Sequence, residues 1–151
     1  KRVRFSDRVV LPPYPENTGA ALDIISTWAI ANAGTSFPDH DLSGLRDVQW
    51  HAKAWNARTS KKRGMWRHIA RSGCEWPPGY HITLRTDLLT PDTWAGICRT
   101  AVHEVAHHLT ATSMCTSKPS VHDRKKPHGR EWRAIFKAMG GDGATHGCNT
   151  D

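Results

Sequence analysis

The stretch from Thr90 to Thr112 constrains the fold more than any other part of the chain, because a helix start signal and a long helical apolar period coincide there. Thr90-Pro91-Asp92 supplies an N-cap hydroxyl, a proline at the first helical position and an acid in the first turn. Trp94, Ile97, Cys98, Ala101, Val102, Val105 and Leu109 then recur at helical spacing. The pattern predicts a helix from about Pro91 to Thr112, with its apolar stripe in the core. Set inside that period is His103-Glu104-Val105-Ala106-His107.

Positions i and i+4 lie one above the other on a helix, so the imidazoles of His103 and His107 can converge on one ion. A carboxylate beside the first of them, Glu104, can then reach a water on that ion, which is the layout of a metal-assisted hydrolase. Three protein ligands and a water make the usual catalytic zinc set, so a third ligand has to come from another element. The metzincin continuation is excluded, because Thr110 and Ser113 occupy the positions where it needs Gly and His. His122, His128 and Glu131 remain. His122 sits in a charged stretch between Pro119 and Pro127 that reads as a solvated loop. His128 opens a second amphipathic helix with Trp132, Ile135, Phe136 and Met139 as its apolar stripe and Gly140-Gly141 as its stop. Glu131 shares a face with His128 and fits either as a rival ligand or as an acceptor for an imidazole N–H.

These paired motifs, His103-Glu104-Val105-Ala106-His107 followed by Pro127-His128-Gly129-Arg130-Glu131-Trp132 and Met139-Gly140, resemble the SprT-like zinc metalloprotease domain family. In that family a His-Gly-x-x-aromatic segment completes the zinc site, so the resemblance implies His128 as the third ligand, with Glu131 second to it. Tyr80 to Leu84 resembles the short strand before the active-site helix, and Ala144-Thr145-His146 the tail after the second helix. The resemblance covers about Val48 to His146. Two features depart from the family pattern: Cys148 stands without the Cys-rich zinc ribbon that many members carry, and the insert from Ser113 to Lys126 is longer than the bacterial connections.

At 151 residues, with no internal repeat, the chain reads as one domain, with an N-terminal helix over about 18–33 and a core over about 47–146. No apolar run is long enough to span a membrane, and no signal-peptide pattern opens the chain. Cys74, Cys98, Cys115 and Cys148 include no C-x-x-C pair, and Cys98 falls on the buried helix face; a reducing, intracellular setting is expected. The compartment is read as cytoplasmic or nucleoid/nuclear, or the host cytoplasm for a viral protein. Alternating residues in 47–55 and 65–71, separated by the turn-like stretch 56–64, suggest a small antiparallel sheet completed by 81–85. The expected fold is α+β and zincin-like, with helices packed on a small, mostly antiparallel sheet whose edge could take an extended peptide by strand addition.

A formal net charge of +7 and a pI near 9.6 favour polyanionic partners. Lys61-Lys62-Arg63 is flanked by Trp50, Trp55, Trp66 and Trp76, and indoles beside basic side chains can stack on unpaired bases. Lys61, Lys62, Arg63, Trp50 and Trp66 are therefore the candidate nucleic-acid contacts. The combined expectation is a monomeric endopeptidase with one catalytic Zn²⁺, held by His103, His107 and His128, with Glu104 as general base. His108, Tyr80 and Arg130 are candidates for the oxyanion donor. The resemblance implies proteins bound or crosslinked to DNA, possibly single-stranded, as substrates. Two other readings compete: a repressor-cleaving type of zinc peptidase without a DNA requirement, and a non-enzymatic nucleic-acid-binding module with structural zinc.

Overall fold

The helix signals at Thr90 operate as read. In the computed structural model, which describes residues 9–53, 63–73, 75–87, 89–112 and 128–141, the Thr90 hydroxyl accepts from the Thr93 N–H at 3.3 Å. The Thr93 hydroxyl in turn accepts from the Thr90 N–H at 2.9 Å, closing a capping box. The helix that follows, Pro91–Ala111, is the long central element. Two further helices, Ala21–Ser36 and Arg130–Ala138, and three strands, Gln49–Lys53, Gly64–Ile69 and Gly79–Arg85, complete the elements used below. In chain order they are α1, β1, β2, β3, α2 and α3. The architecture is α+β, as expected.

Every residue of α2 from Ile97 to Ala111 is buried. A helix buried all round needs neighbours on several sides, and α2 has them: α1 and α3 pack on it, and β2 and β3 lie against another face. The stripe of α1 that meets the core is Ala21, Ile25, Ala29 and Ala33, a four-residue repeat in which the three alanines admit a close neighbour. This helix is introduced by a 3₁₀ turn, Thr18–Ala20, and runs to Ser36, beyond the expected end near 33. It stops where Phe37 precedes Pro38, since the proline ring disfavours helical geometry in the residue before it. Asn32 of α1 donates to the carbonyl of Met139 at 2.9 Å, tying α1 to the end of α3. Trp94 donates to the Pro12 carbonyl at 2.6 Å and Trp28 to that of Val10 at 2.9 Å, which fixes the segment before α1 across the helices.

The sheet corrects the expectation of a mostly antiparallel one built on a hairpin of its first two strands. Its order is β1-β3-β2, with β1 parallel and β2 antiparallel to β3, so it is mixed. The physical reason lies in burial. His81, Ile82, Thr83, Leu84 and Arg85 are all buried, so β3 is covered on both faces and takes the centre, while the more exposed β1 and β2 take the edges. Gly64, placed in the preceding turn by its sequence context, is the first residue of β2.

Candidate metal centre

Three imidazoles converge where α2 meets the start of α3. His103 and His107 come from α2, one turn apart. His128 comes from the residue before Gly129, the N-cap of α3. The Arg133 guanidinium donates to the His128 carbonyl at 3.2 Å, and its backbone N–H to the Gly129 carbonyl at 3.0 Å, which pins the approach of His128 to the helix. The Nε2 atoms of His103 and His107 lie 3.2 Å apart, and that of His128 lies 3.1 Å from each.

This triangle is informative because a ring nitrogen is either donor or acceptor in a given tautomer, never both. With three nitrogens in mutual contact, two must carry the same role, so hydrogen bonding alone cannot satisfy them all. A cation that takes three lone pairs does. Tetrahedral zinc, with Zn–N of about 2.0–2.1 Å, places its nitrogens about 3.3–3.4 Å apart, close to the spacing found here. Among the described residues, these three histidines form the group able to hold a metal, with His103 and His107 buried and His128 half-buried. Glu131 is half-buried on the first turn of α3 and is not one of the group.

Glu104 is fully buried on the adjacent face of α2. That face is turned to the sheet: a Cβ placed on Gly64 of β2 would stand 3.2 Å from the Glu104 Oε2. One turn on, His108 is also buried and accepts from the Trp66 indole N–H at 3.3 Å through Nδ1. Burial pushes the His108 pKa down to about 4, so the ring is neutral at neutral pH and serves here as an acceptor. Tyr80 meets the same ring edge-on with centroids 4.8 Å apart, and Arg130 is exposed at the start of α3.

Trp132 carries more of this centre than its place in an apolar stripe suggests. It is fully buried, its ring centroid lies 4.7 Å from that of His103, 5.5 Å from His107 and 4.8 Å from His128, and it backs all three imidazoles. Its indole N–H donates to the His103 carbonyl at 3.2 Å. Behind it, Phe136 stacks at 4.8 Å, and the buried Arg99 guanidinium lies 4.9 Å from the Phe136 ring. The available sequence signal was the four-residue step from His128 to Trp132, which also fits an ordinary core position.

The candidate nucleic-acid contacts are placed differently. Lys61, Lys62 and Trp55 lie outside the described residues, as do His122 and the Ser113–Lys126 insert. Arg63 is half-buried, and its carbonyl accepts from the Arg85 N–H at 2.8 Å. Trp50 and Trp66 are half-buried, pair in register with Ile82 from either side, and pack on the core. Trp76 stacks on His51, with ring centroids 3.9 Å apart and planes 1° from parallel. His51 meets the buried His81 at 2.9 Å, on the opposite face of the sheet from Trp66.

A His-rich donor set held between two helices and backed by a small mixed sheet places the protein among α+β domains with a candidate metal centre. Residues 39–150 match the SprT-like family, and the chain belongs to that family of metalloprotease-like domains. The match takes in the three strands, α2 and α3, and begins after α1. No curated protein and no solved structure matches the chain.

Proposed function

We propose that this protein is a zinc-dependent endopeptidase with a zincin-like fold, acting on proteins bound or crosslinked to DNA. The observation that carries the peptidase reading is the triangle of Nε2 atoms with a buried carboxylate next to it on the same helix. His103, His107 and His128 would hold the ion, and Glu131 stands outside the ligand set. When bound, zinc supplies Lewis acidity to a water and to the scissile carbonyl. Glu104 takes the proton of the attacking water and returns it to the leaving amine. His108, neutral and one turn further along α2, accepts from Trp66 through Nδ1 and so carries its proton on Nε2, which leaves it beside Tyr80 and backbone donors as a candidate for oxyanion stabilisation.

The edge of β2 supplies the substrate cleft. Arg63 and Arg85 form a hydrogen-bonded pair, and alternate residues of an antiparallel ladder follow suit, so Met65, Arg67 and Ile69 turn their backbone groups toward β3. Gly64, Trp66 and His68 turn theirs to the free edge, among the described residues, starting beside Glu104. An extended chain added there is recognised through its backbone, which suits a protease of low sequence preference.

The DNA part of the reading is supported by the +7 charge and by the family. Cleavage of a DNA-binding protein at low salt, with and without single-stranded DNA, tests it. Stimulation by DNA that fades with salt, and a flatter salt dependence on reversing the charge of Lys61, Lys62 and Arg63, is the expected result. Equal rates without DNA binding favour the repressor-cleaving alternative. Zinc binding without any cleavage favours a structural zinc module.

A further inference from the structure

We infer that Gly64 is a positioning residue for Glu104: the side chain it lacks is what lets the edge strand and the buried carboxylate occupy adjacent space. This rests on the assignment of Glu104 as general base.

The usual reason for a glycine does not apply here. Gly64 begins a regular strand and has no positive φ, so its backbone conformation is open to any residue. Space is the constraint. A Cβ at this position would stand 2.6 Å from the Thr100 Cγ2, 3.2 Å from the Glu104 Oε2 and 3.2 Å from the Thr83 carbonyl oxygen. Two of these neighbours are fixed. The Thr83 oxygen belongs to the central strand. The Thr100 hydroxyl donates to the Gly96 carbonyl at 2.9 Å, which holds its methyl in place. All three neighbours are buried. With Thr83 and Thr100 fixed, the 2.6 Å overlap of an added methyl is relieved by lifting β2 away from α2, and whatever crowding remains falls on the Glu104 carboxylate at 3.2 Å. Either effect alters the distance between the base and a peptide lying along the free edge, since Gly64 is where that edge begins.

Gly64→Ala, Thr100→Ser and the double variant separate this role from plain packing. Thr100→Ser removes the clashing methyl and keeps the hydroxyl bonded to Gly96. Gly64→Ala is expected to bind one zinc and to lose about tenfold or more in kcat, a larger change than in KM. In the double variant the melting temperature recovers toward that of Thr100→Ser while kcat stays low. A second readout needs no substrate: the visible spectrum of the cobalt(II)-loaded Gly64→Ala protein should shift from wild type in the same sense as that of Glu104→Gln. Wild-type kcat and spectrum in Gly64→Ala, or a kcat loss restored in step with stability by Thr100→Ser, would overturn the inference. If the wild-type protein shows no zinc-dependent cleavage, the peptidase reading fails, while the cobalt spectra still decide whether Gly64 sets the surroundings of Glu104.

Discussion

At the scale of single residues, the ligand set and its backing are separable by experiment. His128 meets both α2 histidines at 3.1 Å, whereas Glu131 is not in the cluster. His128→Ala should therefore lose zinc, and Glu131→Ala should keep one equivalent, as read by metal analysis of the purified variants. Stoichiometric zinc in His128→Ala would make Glu131 or His122 the third ligand. Trp132 tests the layer behind. Trp132→Phe keeps a ring against the imidazoles and removes the N–H that reaches the His103 carbonyl. Zinc affinity should weaken by about tenfold, measured by chelator competition, because groups that orient ligands typically contribute at least that much. Cys98 is a free, fully buried thiol whose titration burial pushes up to about 12. Iodoacetamide at pH 8 should spare it in the native protein and label it after denaturation. Its linkage has a definite sign: the unfolded thiol ionises near 9.0 and the folded one near 12, so its contribution to stability is intact below pH 9 and declines above it.

At the scale of elements, α2 was legible because its signals are local. The Thr90 cap, Pro91 and the apolar period all lie within the helix they specify, and Thr90→Ala should cost about 1 kcal/mol in urea unfolding. The same holds for α3, whose stripe of Trp132, Ile135, Phe136 and Met139 is buried as its spacing implies, and which ends where Gly140 takes a φ of 105°. The sheet was less legible, since alternation reports which face of a strand is covered and carries nothing about its neighbours. The continuous burial of 81–85 that makes β3 central depends on α2 on one side and on His51 and Trp76 on the other. Gly64 was invisible as a functional position for a related reason: what excludes its side chain is Thr100 and Glu104, on another element. His128 was singled out from its rivals by resemblance, because residue type and spacing alone left three candidates. The inward roles of Trp66 and His108 likewise depend on a contact between a strand and a helix.

At the scale of the whole molecule, the candidate centre joins α2 to α3, so metal and stability are coupled. Zinc bound to the folded chain alone adds about 4 kcal/mol when free zinc exceeds its dissociation constant about a thousandfold. EDTA should accordingly lower the melting temperature of the wild-type protein and leave that of His103→Ala unchanged. No helix among the described residues is long and apolar enough to cross a membrane. The +7 charge is a sum over the whole chain, so, on the proposed function, its effect should be a salt-dependent rate with DNA-bound substrates. The proposed hydrolysis depends first on the carboxylate buried beside the three convergent imidazoles. Its most direct test is the Glu104→Gln protein, assayed for zinc content and for peptide cleavage against wild type. Glu104→Gln should hold one zinc, keep its fold and cleave at least about a hundredfold more slowly, because the amide cannot accept the water proton. Substantial turnover in Glu104→Gln, with zinc in place, would contradict that dependence.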